Sequence, residues 1–220
     1  EWEALQGSAL EQAVRVTGKV VKDDRAPSGV EVQGKTFERV SESPNYPIAK
    51  KAHGTDFLLD RRHLWLRSKR QWAIMRVRDT IERATYDFLH QQSFIRIDAP
   101  ILTPNACEGT TELFQIDYFG RPAYLSQSGQ LYIEAAMFGH KRVYDFGPVF
   151  RAEKSKTRRH LNEFWMMDAE MAFTDWKGNM QMQEDLICFI VARVLEERKE
   201  ELAVLERDVS RLEKVKGPFP

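Results

Sequence analysis

The chain has 220 residues, of which 42% are hydrophobic and 11% aromatic, and this is enough apolar material for a packed core. Lys plus Arg and Asp plus Glu both total 33, so the zero net charge excludes a long-range positive field typical of general nucleic-acid binders. Cys107 and Cys188 form no metal-ligand or disulfide pattern, and without a signal peptide or an apolar run of about 18 residues we expect a soluble, cytoplasmic protein that spans no membrane.

The N-terminal part of the sequence predicts a small β-structure followed by a stiff linker. Residues 14–21 and 37–43 are predicted to be strands, with a turn between them at 26–29. Pro44 and Pro47 then remove backbone donors and restrict the chain. We therefore predict three parts, which are a β-structured segment at 1–43, a linker at 44–66 and a main domain at 67–220.

The main domain begins with an amphipathic helix. From residue 67 to residue 88 the apolar side chains recur at spacings of three and four. The remaining predicted elements are strands at 95–99, 113–119, 143–153 and 162–173 and helices at 128–138 and 180–215. Neighbouring strands joined by loops and flanked by helices predict an α+β fold with an antiparallel sheet.

The predicted strand at 162–173 has two different faces. The face with Trp165, Met167, Ala169, Met171 and Phe173 is expected to belong to the core, because successive side chains of a strand alternate. The other face carries Phe164, Met166, Asp168 and Glu170. Buried carboxylates are costly unless a cation meets them. This face is therefore either solvated or part of a groove that stacks a flat ring and holds an ammonium group.

The loop before this strand is strongly basic. Residues 151–160 contain one acid, Glu153, and five cationic residues, Arg151, Lys154, Lys156, Arg158 and Arg159. A charged turn is often only solvated. However, Arg151 is predicted to lie inside a strand, where a guanidinium is costly unless it binds an anion, and Arg is suited to phosphate.

Two segments resemble a known enzyme family. The run Phe-Arg-Ala-Glu at 150–153, followed by Arg-His-Leu-Asn-Glu-Phe at 159–164, resembles the second signature motif of class II aminoacyl-tRNA synthetases of the aspartyl, asparaginyl and lysyl subgroup. The segment 67–100 resembles the first signature motif, which forms the homodimer interface in that family. The resemblance implies a partial antiparallel class II catalytic core, preceded by the later strands of an OB-type anticodon-binding barrel.

The resemblance also implies an ATP site. Arg151 would contact the α-phosphate as the catalytic residue, and Phe164 would stack under adenine. The full implied set is Arg151, Glu153, Arg159, His160, Leu161, Glu163 and Phe164. Mg²⁺ would accompany the phosphates, with its ligands mostly in a later third motif, so no metal ligand is assigned here. Because no run resembling that motif occurs, we expect this chain to be the N-terminal half of a longer enzyme and inactive alone.

The implied amino-acid pocket favours asparagine. Its residues are Glu108, Ser128, Gln130, Ile133, Glu134, Asp168 and Glu170. Aspartyl enzymes resemble this segment but carry a lysine where Ile133 stands, and Glu134 as an acceptor would pair with a side-chain amide and repel a carboxylate. The alternative interpretation, without a role in binding, is that Ile133 packs in the core and Glu134 is a surface residue.

The predicted function is therefore asparagine-tRNA ligase, with asparagine and tRNA as partners. Three alternatives stay open at this point. The first is an aspartate-tRNA ligase, including a relaxed one that also charges the tRNA for asparagine. The second is a paralogue that makes asparagine from an adenylate, which the β-structured N-terminal segment disfavours. The third is a non-catalytic synthetase-like module for binding or dimerisation.

Overall fold

A computed structural model describes residues 6–107, 109, 112–154, 157 and 159–219. The chain divides into two compact units, Glu1–Ser68 and Lys69–Pro220. In the first unit, β1 (Val14–Lys22) and β2 (Val30–Arg39) form an antiparallel hairpin, followed by the short helices α1 (Thr55–Leu59) and α2 (Arg62–Trp65). The predicted second strand at 37–43 was wrong in its bounds, because the chain turns at Gly29, with a φ of 72°, and pairs directly afterwards.

The described part of the second unit contains two three-stranded sheets and four helices. The helices are α3 (Lys69–Gln91), α4 (Gln130–His140), α5 (Trp176–Glu197) and α6 (Lys199–Val204). The strands are β3 (Ile95–Arg96), β4 (Leu102–Thr103), β5 (Gln115–Tyr118), β6 (Arg121–Leu125), β7 (Arg142–Phe150) and β8 (Glu163–Met171). The sheet orders are β3-β7-β8 and β4-β6-β5, and every pairing is antiparallel except the short parallel one between β3 and β7. The mixed α and β composition with antiparallel sheets is therefore confirmed.

The core lies between β7, β8 and two long helices. Phe88 and Leu89 of α3 pack with Phe94 and Tyr144, all at most 5% exposed. Partly buried side chains from β8 and α5 complete this cluster, among them Met167, Ala169, Met171, Met182, Leu186 and Phe189. Burial of this apolar surface is the main force that holds α3 and α5 on the back of the sheet.

Ion pairs join the same helices at their ends. Arg83 of α3 contacts Glu197 of α5 at 3.0 Å. The carboxylate of Glu201, only 2% exposed, pairs with Arg76 of α3 and with Arg198, whose Nη1 lies 3.4 Å away. A buried carboxylate is tolerable only when such cations compensate its lost hydration. Among the described residues, no helix combines the length and apolar composition needed to cross a bilayer.

Two further predicted elements differ from the structure, and one strand was not predicted. The predicted core face of β8 was partly wrong, since Trp165 is 48% exposed and Phe173 is 98% exposed. Trp165 lies near the start of β8, and Phe173 follows its end with a φ of 60°, which interrupts the strand alternation. The helix predicted at 180–215 ends at Glu197, because Arg198, with φ of −122° and ψ of 33°, leaves the helical conformation. Strand β6 was missed because Pro122 is its second residue.

Candidate functional site

The front face of the β7-β8 pair carries the predicted polar residues. In the antiparallel register Val149 lies opposite Phe164, and Asp145 lies opposite Asp168. Residues that face each other across such a pair project to the same side of the sheet. Phe164 and Asp168 therefore share the face opposite the helical core. They mark the two ends of a possible groove along β8.

A cavity of about 320 Å³ opens at the Phe164 end of this face. Its lining residues are Arg151, Glu153, Arg159, His160, Leu161 and Phe164. All six belong to the set predicted to bind ATP. Glu163, the remaining member, is exposed at the start of β8, opposite Phe150, and does not line the cavity. Lys156 and Arg158 of the same loop lie outside the described residues.

Arg151 is held at the mouth of the hairpin. It follows β7 directly and is not inside the strand as predicted, but its backbone N–H still donates to the Asn162 carbonyl at 2.9 Å. The Asn162 side-chain amide donates to the carbonyls of Arg151 and Glu153, at 2.8 and 3.2 Å. These bonds fix the backbone on both sides of the loop. The backbone position from which the Arg151 side chain extends is therefore well defined.

The Arg151 guanidinium lies on the same side as the Phe164 ring, with its central carbon 5.3 Å from the ring centroid. Arg159 and His160 add donors to the same cavity, where Glu153 is the single acid. A fixed guanidinium beside an aromatic ring can bind an anion that is attached to a flat ring, because Arg pairs with phosphate and aromatic faces stack. The cavity therefore suits a nucleotide.

Hydrogen bonds link most of the predicted amino-acid residues. The Ser128 hydroxyl donates to Asp168 at 2.8 Å and accepts the Gln130 backbone N–H at 3.0 Å. The Gln130 side-chain amide donates to Glu134 at 2.8 Å. Ser128, Gln130, Glu134 and Asp168 thus form one chain from the start of α4 to β8. Glu108, predicted as a further member, lies outside the described residues.

The acids of this region are close enough to interact. Burial raises the pKa of the Glu170 carboxyl, and the negative charges of Glu134 and Asp168 raise this pKa further. No Lys or Arg side chain in the described part of the chain forms an ion pair with any of these three acids. An ammonium group would supply the missing positive charge. In the same described part, no group of three or more His, Cys, Asp or Glu side chains is arranged to hold a metal ion.

Ile133 and Glu134 have different surroundings. Ile133 is fully buried, so its side chain contributes packing and no charge. Glu134 is half-buried, accepts the bond from Gln130 and acts on Glu170 through its charge. Ile133 thus fits the alternative interpretation as a core residue, whereas Glu134 faces the acidic end of the candidate site.

The sequence reasoning missed Asp145. This residue is 8% exposed, and burial raises the pKa of its carboxyl, as does the neighbouring charge of Asp168. The signal was an acid inside the apolar run Val-Tyr-Asp-Phe at 143–146, where charge is costly. The strand prediction for 143–153 placed Asp145 correctly on β7 but assigned it no role.

Comparison with known proteins agrees with this geometry. The family described as tRNA synthetases class II (D, K and N) matches residues 54–220. Asparaginyl-tRNA synthetase from Pyrococcus horikoshii complexed with asparaginyl-adenylate is 40% identical, with a TM-score of 0.94 over 99% of this chain and 51% of that protein. Asparaginyl-tRNA synthetase from Entamoeba histolytica in complex with asparaginyl-adenylate is 26% identical, with a TM-score of 0.80 over 92% of this chain and 47% of that protein.

A relative with a different assigned substrate is also similar. A protein from Leishmania major Friedlin, provisionally assigned as an aspartyl-tRNA synthetase, is 28% identical, with a TM-score of 0.80 over 90% of this chain and 42% of that protein. The chain thus spans about half the length of the solved structures that it matches. The family match covers most of the chain, and it includes the hairpin that carries Arg151 and Phe164. The chain therefore belongs to the class II tRNA synthetases of the D, K and N group.

Proposed function

We propose that the protein containing this chain is an asparagine-tRNA ligase, which activates asparagine with ATP and transfers it to tRNA in the cytoplasm. The observation that carries the proposal is the cavity in which Arg151 lies over the Phe164 ring, next to a chain of acids and amides that ends at Glu134. Two of the similar structures are asparaginyl-tRNA synthetases in complex with asparaginyl-adenylate, which supports this substrate.

The chemistry follows from the positions of these groups. The asparagine carboxylate attacks the α-phosphorus of ATP, the bond to the β-phosphate oxygen breaks, and pyrophosphate leaves with its electron pair. Arg151 neutralises the charge that develops on the α-phosphate, Phe164 stacks on adenine, and Arg159 and His160 bind the outer phosphates. A hydroxyl of the 3′-terminal ribose of tRNA then attacks the acyl carbon of the adenylate and loses its proton, the bond from that carbon to the phosphate oxygen breaks, and AMP leaves. Positioning and charge stabilisation perform the catalysis.

Mg²⁺ would add positive charge at the ATP phosphates. The described part of the chain arranges no metal-binding group, and its cavity is lined mainly by cations and apolar side chains. We therefore assign the metal ligands to the remainder of the protein.

The choice of asparagine rests on the charge around the amino-acid pocket. The α-ammonium group is balanced by Asp168 and Glu170, whereas an aspartate side chain would bring another carboxylate towards Glu134. Ile133 is buried and offers no compensating cation. A side-chain amide can instead donate to Glu134. The similar protein from Leishmania major Friedlin favours the aspartate-specific alternative.

Two surfaces support the proposed macromolecular partners. The valines Val14, Val16, Val20, Val30 and Val32 are exposed on the hairpin of β1 and β2. We propose that residues 1–43 supply the later strands of an OB-type barrel that binds the tRNA anticodon, with 44–66 as the linker. Apolar residues of segment 67–100 are also exposed, namely Trp72, Met75, Ile81 and Ile95. This supports a homodimer that buries this segment.

Binding of a non-hydrolysable asparaginyl-adenylate analogue to the full-length protein tests the proposal. We expect the analogue to raise the melting temperature strongly, because it occupies the ATP and amino-acid sites together. The aspartyl analogue should give a smaller shift. The variant Arg151→Lys, which keeps the charge but loses the planar fork, should weaken binding of the asparaginyl analogue about tenfold.

The outcomes separate the alternatives. A larger shift with the aspartyl analogue would replace asparagine by aspartate. No shift with either analogue would indicate a non-catalytic module. Binding of the asparaginyl analogue without any charging of tRNA would indicate the paralogue that makes free asparagine.

A further inference from the structure

Gly129, the residue before α4, lies in close contact with the buried carboxylate of Asp145. A Cβ atom at this position would overlap the Asp145 side chain and would lie 3.1 Å from the Ala99 Cβ. The backbone of Gly129 therefore occupies space that any other residue would need for its own side chain. A side chain at this position would therefore force the Asp145 carboxylate to move, although the φ of −81° at Gly129 is accessible to all residues.

Asp145 connects three separate segments of the second unit. Its carboxylate lies near the backbone N–H of Ala99, which follows β3, and contacts Gly129. Across the sheet it stands directly opposite Asp168. Asp168 in turn accepts the Ser128 hydroxyl. Consequently the turn Ser128-Gly129 is held by two neighbouring carboxylates, one on β7 and one on β8.

This turn determines where α4 begins. Ser128 accepts the backbone N–H of Gln130, the first residue of the helix, and the Gln130 side chain binds Glu134 one turn later. A shift of the turn would therefore move Gln130 and Glu134 together. Asp145 also adds a negative charge next to Asp168, across the β7-β8 pair. This is the part of the sheet face where we place the α-ammonium group of the amino acid.

We propose that Asp145 is a positioning residue for amino-acid binding, which fixes the Ser128-Gly129 turn and strengthens the negative potential at Asp168. This inference rests on the proposed function, because it assigns the residue to the same amino-acid pocket. It makes a selective prediction, since Asp145 does not line the nucleotide cavity around Arg151 and Phe164. Loss of Asp145 should impair asparagine binding while leaving ATP binding intact.

The test is steady-state ATP-pyrophosphate exchange with the full-length enzyme carrying Asp145→Asn. The substitution keeps the shape and one oxygen for the Ala99 N–H but removes the charge. We expect the KM for asparagine to rise about tenfold and the KM for ATP to change by less than about twofold. The matched control is Asp185→Asn, which removes the same charge from an exposed position on α5 and should leave both KM values unchanged.

A second variant, Gly129→Ala, alters the other residue of the contact between Asp145 and Gly129. The added methyl group should displace Asp145, so the KM for asparagine should rise again, and the effects of Gly129→Ala and Asp145→Asn should be far from additive in the double variant. Equal rises in both KM values, an unchanged KM for asparagine, or strictly additive effects would overturn the inference. If the wild-type enzyme exchanges with asparagine and Asp145→Asn behaves normally, only this inference fails. If the wild-type enzyme does not exchange with asparagine, the proposed function fails and this inference fails with it.

Discussion

At the scale of single residues, the account depends on which side chains meet along the front of β8. Arg151 and Phe164 lie 5.3 Å apart at one end, and Asp168, Glu170 and Glu134 interact at the other. A cation beside a ring and acids without cationic partners are complementary to a nucleotide phosphate and an ammonium group, respectively. The proposed site therefore has its nucleotide-binding and amino-acid-binding residues at two different positions along β8.

Glu134 is expected to discriminate between asparagine and aspartate. Replacement by glutamine removes the charge that repels a side-chain carboxylate, while an acceptor for the asparagine amide is retained. In the full-length enzyme, Glu134→Gln should therefore lower the asparagine preference about tenfold in kcat/KM for pyrophosphate exchange. The control is Glu196→Gln, an exposed position on α5. An unchanged preference in Glu134→Gln would remove Glu134 from the specificity pocket.

Glu170 should make stability depend on pH in a particular direction. Because burial and neighbouring acids raise its pKa in the folded state above the ordinary 4.5, ionisation of Glu170 opposes folding. Its contribution to stability is complete below pH 4.5 and is lost as the pH rises through the elevated pKa. Glu170→Gln should accordingly melt at a higher temperature than wild type at pH 7, and the difference should shrink as the pH falls towards 4.5. A difference that grows on acidification would contradict this assignment.

The residues of the site differed in how well the sequence could predict them. The resemblance to a motif indicated every side chain that lines the nucleotide cavity, because the motif also specifies the hairpin that gathers them. Asp145 was not predicted, since its importance lies in contacts with Gly129 and Ala99, which are distant in sequence. The burial of Ile133 could also not be distinguished from a pocket position by helical spacing alone.

At the scale of elements, the attachment of α6 to α3 depends on a buried charge. Glu201 is 2% exposed, and its pairing with Arg76 lowers the pKa of its carboxyl despite the cost of burial. Glu201→Ala should destabilise the full-length protein by about 2 kcal/mol at pH 7, because it leaves Arg76 and Arg198 without their acceptor. The partial exposure of Arg76 keeps this value moderate. Glu200→Ala, at an exposed neighbouring position, is the control for chemical denaturation.

The pH dependence of this effect has the opposite sign to that of Glu170. A lowered pKa means that the stabilisation by Glu201 is present above pH 4.5 and is lost as the pH falls through the folded-state pKa. The difference between wild type and Glu201→Ala should therefore become smaller in acid. A difference that does not shrink on acidification would show that the variant acts through packing alone.

The predictability of each element followed its local signal. Helix α3 was predicted close to its observed bounds because apolar residues recur at helical spacing, and Ala84 and Phe88 of that stripe are buried, whereas Ile81 is 39% exposed. The hairpin of β5 and β6 was seen only in part, since a proline argues against a paired strand, yet β6 pairs on both sides with Pro122 as its second residue. Helical spacing continued beyond Glu197 in the sequence, but backbone conformation at Arg198 ended the helix there.

At the scale of the whole molecule, the two faces of the β7-β8 pair have different roles. The back of β7 and β8 is covered by α3 and α5, whose apolar contacts and ion pairs make it rigid. The front carries the cavity around Arg151 and the start of α4. A rigid sheet can therefore hold the nucleotide and the amino acid in the alignment that in-line attack requires.

The most direct test of the central claim is ATP-pyrophosphate exchange by the full-length protein with asparagine and aspartate, each measured as kcat/KM under the same conditions. The account predicts exchange that depends on asparagine, with a value at least about a hundredfold above that for aspartate, because a second carboxylate would lie among acids with no cationic partner. Equal values for the two amino acids, or a higher value for aspartate, would contradict it.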